Sequence, residues 1–180
     1  MNEVQPIRDP EKIENMKQIL LQHSYRDWFL FVMGINTGLR ISDLLQLQVK
    51  DVLNKTHVTI REKKTDKTKR FRINTELQEH ISKYARGKGP DDYLYRSKRS
   101  NEPIQRVQAY KILKDAAKEA GIEDLGTHTL RKTFGYHFYK RTKDVALLQD
   151  IFNHSAPSIT LRYIGINQDI IDQALDDFSL

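Results

Sequence analysis

The sequence holds no cysteine in 180 residues. That excludes disulfides and thiolate metal sites, and it fits a reducing cytoplasm. No stretch approaches the roughly 18 consecutive apolar residues of a membrane-spanning helix. The opening segment MNEVQPIRDPEK has no apolar core, so it does not read as a signal peptide. There is no internal repeat and no low-complexity segment. Nor is there a cluster of Asp and Glu of the kind that gathers two metal ions, so neither metal nor cofactor is expected.

What is present is ordinary for a globular chain, with 38% hydrophobic and 30% charged residues. The length suits one domain with a real core, 1–180. Thirty basic residues against 24 acidic ones leave a net charge of +6, which points weakly to a polyanionic partner such as nucleic acid.

Asp9 and Pro10 have the chemistry of a helix start, with Ile13, Met16, Ile19 and Leu20 as the buried stripe. Ser24 is expected to cap YRDWFLFVMGIN, a segment apolar nearly all round and therefore a core helix, stopped at Gly38. Arg40 follows at once, ahead of a short helix with Leu44, Leu45 and Leu47 buried. Residues 57–73 change period: Val58 and Ile60, then Phe71 and Ile73, alternate with polar residues around Lys64-Thr65-Asp66-Lys67, which predicts a β-hairpin. Seven basic residues (Arg61, Lys63, Lys64, Lys67, Lys69, Arg70 and Arg72) load that hairpin. Such a ribbon suits a DNA groove or backbone, and equally an exposed hairpin whose lysines discourage edge pairing.

A third helix follows Asn74 or Thr75, with Leu77, Ile81 and Tyr84 buried. Tyr93-Leu94-Tyr95 has the makings of a short strand, and a long helix runs from about Gln105 to Ala120, with a basic stripe of Lys111, Lys114 and Lys118. Thr127 is placed to cap the helix that carries His128, Arg131 and Lys132. Asp144 or Thr142 opens VALLQDIF, and Ser158 is placed to cap a turn holding Tyr163. The last segment, INQDIIDQALDDF, carries one apolar stripe: Ile166, Ile170, Ile171, Ala174, Leu175 and Phe178. The fold class expected is α+β, mostly helical, with one small antiparallel hairpin.

Singly, the chemistry-bearing residues have plain explanations. An arginine after a glycine is usually a surface charge, a histidine at a helix start a local hydrogen-bonder, and a tyrosine beside Leu161 and Ile164 a core residue. Together, Arg40, His128, Arg131, His154 and Tyr163 are two guanidinium groups, two imidazoles and a phenol. These are the groups needed to attack a phosphodiester without a metal.

The segments GINTGLRISDLLQL, EKKTDK, HTLRKTF and NHSAPSITLRY, in that order, resemble the catalytic domain of the tyrosine recombinase (phage integrase) family. The resemblance runs from about Pro10 to Tyr163. It implies that Arg40 and Arg131 are the family's catalytic arginines and Lys64 its hairpin lysine, with Lys63 an adjacent competitor. It further implies that His128 belongs to the His-x-x-Arg pair, His154 is the late His or Trp, Tyr163 is the nucleophile, and Asp43 supports the site. Lys63, Lys67, Lys69, Arg70 and Lys132 are then expected to meet DNA. Asn153 stands where the family often has glycine, an expected local change of backbone geometry.

The implied partner is double-stranded DNA and the implied reaction is site-specific cleavage and rejoining through a 3′-phosphotyrosyl link. The family usually carries a separate N-terminal DNA-clamping domain, for which there is no room before Arg40. Either the chain is a domain excised from a longer protein, or it is a short protein expected to grip DNA more weakly. Two other readings stay open: a DNA-binding regulator that does not recombine, and relaxation of supercoils like a type IB topoisomerase. Residues 163–180 form a tail expected either to fold back or to dock on a neighbouring protomer, as in a tetramer on DNA.

Overall fold

The structure, a computed structural model, describes residues 4–62 and 66–180, and at 167 and 168 the backbone alone. Helix α1 (Pro10–His23) begins as its sequence directs. The Asp9 side chain accepts a hydrogen bond from the Glu11 amide at 2.9 Å, with Pro10 at the first position. Helix α2 (Tyr25–Thr37) buries Phe29, Leu30, Phe31, Val32 and Met33. The short α3 (Ile41–Leu44) and α4 (Val49–Val52) follow. The latter is closed by a capping box between Gln48 and Asp51 that the apolar pattern alone does not announce.

Strands β1 (His57–Arg61) and β2 (Thr68–Arg72) pair antiparallel, with Val58 opposite Phe71 and Ile60 opposite Lys69. Helix α5 (Thr75–Tyr84) is capped by Asn74, whose side chain accepts from the Leu77 amide at 2.8 Å. Residues 93–95 do not form the expected strand. Tyr93 makes one isolated bridge to Gln48, and the Leu94 amide donates to the Leu47 carbonyl at 2.9 Å. Leu94 and Tyr95 are both buried, so this segment lacks the alternation that a strand surface requires.

Helices α6 (Arg106–Glu119), α7 (Thr129–Thr142), α8 (Val145–Phe152), α9 (Pro157–Tyr163) and α10 (Asn167–Asp176) complete the chain. Two starts differ from expectation. His128, not Thr127, occupies the cap position of α7, because the Thr129 hydroxyl turns back to accept the Gly126 amide at 2.7 Å. Helix α9 begins at Pro157 after Ala156 rather than at a Ser158 cap, since proline's fixed φ already suits the first helical position.

Helix α2 is the hub, packed against α1, α3, α5, α6 and α7. It meets α7 closely because Gly34 faces Leu130; a Cβ there would collide with that side chain. A large core surrounds α2, and a smaller one gathers Leu148, Phe152, Ile164 and Ile166 with Phe134 and Tyr163. Helix α7 spans the two, placing Leu130 in the first and Phe134 beside the second. Arg131, on α7, and Tyr163, packed against the smaller core, lie along that seam.

Candidate active site

Arg40 is positioned by the stop of α2. Gly38 takes φ 67°, a left-handed conformation that frees the chain to turn without a Cβ penalty. The same turn receives Arg131, whose Nη1 donates to the Gly38 carbonyl at 2.7 Å. Arg131 Nη2 donates to the Phe152 carbonyl at 3.1 Å, and its guanidinium lies 4.3 Å over the Phe152 ring. One buried side chain therefore ties the end of α2 to the end of α8. Burial lowers the Arg131 pKa, and Tyr163, Glu62 and Asp43 counter that shift while Arg40 adds to it.

Arg40 itself donates from Nη1 to Glu62 Oε1 at 2.7 Å. Glu62 is almost fully buried just past β1, and Asp43, also buried, lies on the same short helix that Arg40 precedes. The site is thus a cluster of cations with two buried carboxylates as counter-charges.

His154 follows α8 through Asn153, which adopts φ 56° and ψ 45°. Asparagine tolerates that left-handed conformation, which glycine adopts most readily. His154 Nδ1 lies 2.9 Å from the Thr160 hydroxyl. Burial, followed by Arg131, Arg40 and Lys69, drives the imidazole pKa down to about 4. At neutral pH the ring carries no charge.

Tyr163 is the last residue of α9. Its ring lies 5.1 Å from that of His154, 5.4 Å from Phe152 and 6.3 Å from His128. Burial raises its pKa, while Arg131, Arg40 and a hydrogen bond from Arg131 pull in the other direction. The net shift is upward, so the phenol keeps its proton until a base removes it. His128, exposed at the cap of α7, is the nearer of the two histidines to solvent.

Arg40, His128 and Arg131 line one cavity of about 420 Å³, together with Thr127, Ser42 and Arg106. Among the described residues, no cluster of three or more His, Asp or Glu side chains is gathered for a metal ion.

The remaining expected residues divide. Lys63 and Lys64 lie outside the described residues. Lys67 and Lys69 do not simply face outward. Lys67 donates to Asn153 Oδ1 at 3.0 Å, and Lys69 donates to the carbonyls of Asp150 and Ile151 at 2.8 and 2.7 Å. They dock the hairpin on the C-terminal end of α8, where a helix favours cations. Arg70 is exposed. Lys132 is buried rather than on the open surface, with its Nζ 5.0 Å over the Tyr163 ring. Its α7 position places it under the tyrosine instead of on the outer face.

Glu62, Thr160 and Arg106 were not singled out from the sequence. Strand alternation holds a signal for the first, since Val58 and Ile60 are buried and residue 62 continues their face. Thr160 and Arg106 carry no such mark.

Residues 8–169 match the phage integrase family. The chain belongs to that family. The probable integrase/recombinase YoeC of Bacillus subtilis is 56% identical over 94% of this chain and 93% of its own length. Solved structures share the fold. The XerA recombinase superposes with a TM-score of 0.79 at 20% identity, over 100% of this chain and 66% of its own. The catalytic domain of bacteriophage HP1 integrase gives 0.68 at 21% identity, over 96% and 95%. A XerH site-specific recombinase bound to its palindromic difH substrate gives 0.72 at 18% identity, over 98% and 54%. This integrase-family chain is therefore mostly helical with a small antiparallel hairpin, as a tyrosine recombinase catalytic domain is. Among its described residues no helix is long and apolar enough to cross a membrane.

Proposed function

We propose that this chain, acting in the cytoplasm as one catalytic domain over residues 1–180, performs site-specific cleavage and rejoining of double-stranded DNA. The observation that carries the reading is that Arg131 and Tyr163 pack against the same ring: the guanidinium lies 4.3 Å over Phe152, and the phenol ring lies 5.4 Å from it. It puts the nucleophile beside one of the two guanidinium groups able to hold the nonbridging oxygens of a scissile phosphate.

Tyr163 Oη attacks phosphorus and the bond to the 5′-oxygen breaks. The phenolic proton passes to His128, and Lys64 supplies a proton to the departing oxygen. Arg40 and Arg131 meet the charge that grows on the nonbridging oxygens of the pentacoordinate transition state, and His154 donates to one of them. The products are a 3′-phosphotyrosine and a free 5′-hydroxyl. Because the phosphoryl bond energy is conserved, a second 5′-hydroxyl reverses the step without ATP. Asp43 supports the arginines, and Lys63, Lys67, Lys69 and Arg70 add positive potential along the hairpin.

The tail supports assembly of several copies on DNA. Ile171 and Leu175 on α10 and Phe178 just beyond it are 51%, 64% and 65% exposed, an apolar surface that a second protomer is suited to cover.

A pool of nicked duplexes with randomised flanks tests the reading, because attack beside the nick releases a short strand and traps the covalent complex. The chain should retain a sequence-defined subset of the pool through denaturing extraction, and Tyr163→Phe none, with DNA binding nearly unchanged. Covalent capture by Tyr163→Phe removes the nucleophile assignment.

A further inference from the structure

We propose that Glu62 is a positioning residue of the strand-transfer reaction, one that holds Arg40 in the orientation from which it meets the scissile phosphate. This rests on the reading of Arg40 as a phosphate clamp. The alternation of β1 turns Val58 and Ile60 inward, and Glu62 follows on the same face, with 1% of its surface exposed. A carboxylate on that face is costly without a counter-charge, and the Arg40 guanidinium lies 2.7 Å away.

The pair is a poor device for stability alone. A buried ion pair gains little over apolar residues of equal volume, because both ions give up their hydration. What it supplies and an apolar contact does not is direction. Arg40 precedes a helix of only four residues, and its long side chain has many rotamers open to it. One carboxylate bond at Nη1 fixes the plane of the guanidinium and leaves its other N–H groups for a ligand. Arg40 lines the same cavity as Arg131 and His128, so its orientation decides whether two guanidinium groups converge on one phosphate.

Glu62 is also well placed electrostatically. It favours the charged forms of Arg131 and Lys69, whose pKa values burial lowers. And its backbone amide donates to the Lys67 carbonyl at 2.9 Å, so Glu62 joins Arg40 to the hairpin.

Two measurements test this. In the DNA-free protein, NMR of the Arg40 guanidinium should show separate, slowly exchanging Nη protons that merge into one signal in Glu62→Gln. On a nicked duplex recovered by covalent capture, Glu62→Gln should slow single-turnover cleavage by about 10- to 100-fold while changing the DNA Kd less than about 3-fold. In an Arg40→Ala background the same substitution should cost less than about 2-fold more, because a residue acting through Arg40 has nothing left to act on. Melting curves establish that each variant is folded.

Unchanged Nη signals in Glu62→Gln, unchanged cleavage, or a full additional loss in the Arg40→Ala background each overturn the proposal. If instead Arg40→Ala itself cleaves as the unaltered chain does, the phosphate-clamp reading fails first, an outcome distinct from failure at Glu62 alone.

Discussion

The Thr160 hydroxyl lies 2.9 Å from Nδ1 of His154. Thr160 is fully buried three residues before Tyr163 on α9, so the helix that delivers the nucleophile also sets the imidazole opposite it. With Nδ1 engaged, Nε2 is the nitrogen free for a nonbridging oxygen.

Thr160→Val keeps the shape and removes the hydroxyl. Loss of one buried hydrogen bond should destabilise the protein by about 1–2 kcal/mol. Cleavage should fall roughly tenfold, the equivalent of about 1.4 kcal/mol, with DNA affinity held. Stopped-flow or quench kinetics on a captured duplex check this. Full cleavage by the variant means that Thr160 has no part in orienting His154.

The pH dependence of stability follows from His154. Its pKa is about 4 in the folded chain against an ordinary value of 6.5, so the fold favours the neutral ring. Between those values the unfolded chain binds more protons, and stability declines as pH falls from about 6.5 to about 4. Above that window the contribution is fully present. The melting temperature of the DNA-free protein should therefore drop more steeply across the window than that of His154→Gln. Parallel curves contradict the assignment.

Gly38→Ala tests the turn that joins the two arginines. The added Cβ meets the Phe134 ring, and φ 67° strains any L side chain there. Strain and collision together should cost about 2–4 kcal/mol, or a fall in melting temperature of roughly 4–16 °C for a chain this long. Calorimetry gives the number, and a melting point within about 1 °C of the original refutes it.

Lys69→Gln tests the docking of the hairpin on α8. Removing the ammonium from two helix carbonyls should cost about 1–2 kcal/mol and speed hydrogen exchange at the β2 amides. Cleavage should suffer more than DNA binding if the docked hairpin is the reactive form. A variant weakened only in DNA binding places Lys69 on the DNA instead.

Much of the molecule is legible in its residues. The Asp9-Pro10 start, the all-round apolar α2, the Gly38 stop and the hairpin alternation at 58, 60 and 71 are local effects. Each is decided within a few residues by backbone sterics or side-chain periodicity. The order and spacing of Arg40, His128, Arg131, His154 and Tyr163 likewise mark the family before any coordinate is seen. The segment 93–95 and the starts of α7 and α9 read less well. There a single bridge to Gln48, a hydroxyl turned back on Gly126, and a proline outweighed the simpler local signal.

The burial of Lys132 under Tyr163, the docking of Lys67 and Lys69 on α8, and the pairing of Arg40 with Glu62 were decided by tertiary structure alone. Charge type is written in the sequence, but the partner of a charge is set by which elements the two cores bring together. A lysine on a basic hairpin and a lysine against a helix end look the same as letters. Only packing across the α7 seam, with elements more than a hundred residues apart converging at Arg131, separates one from the other.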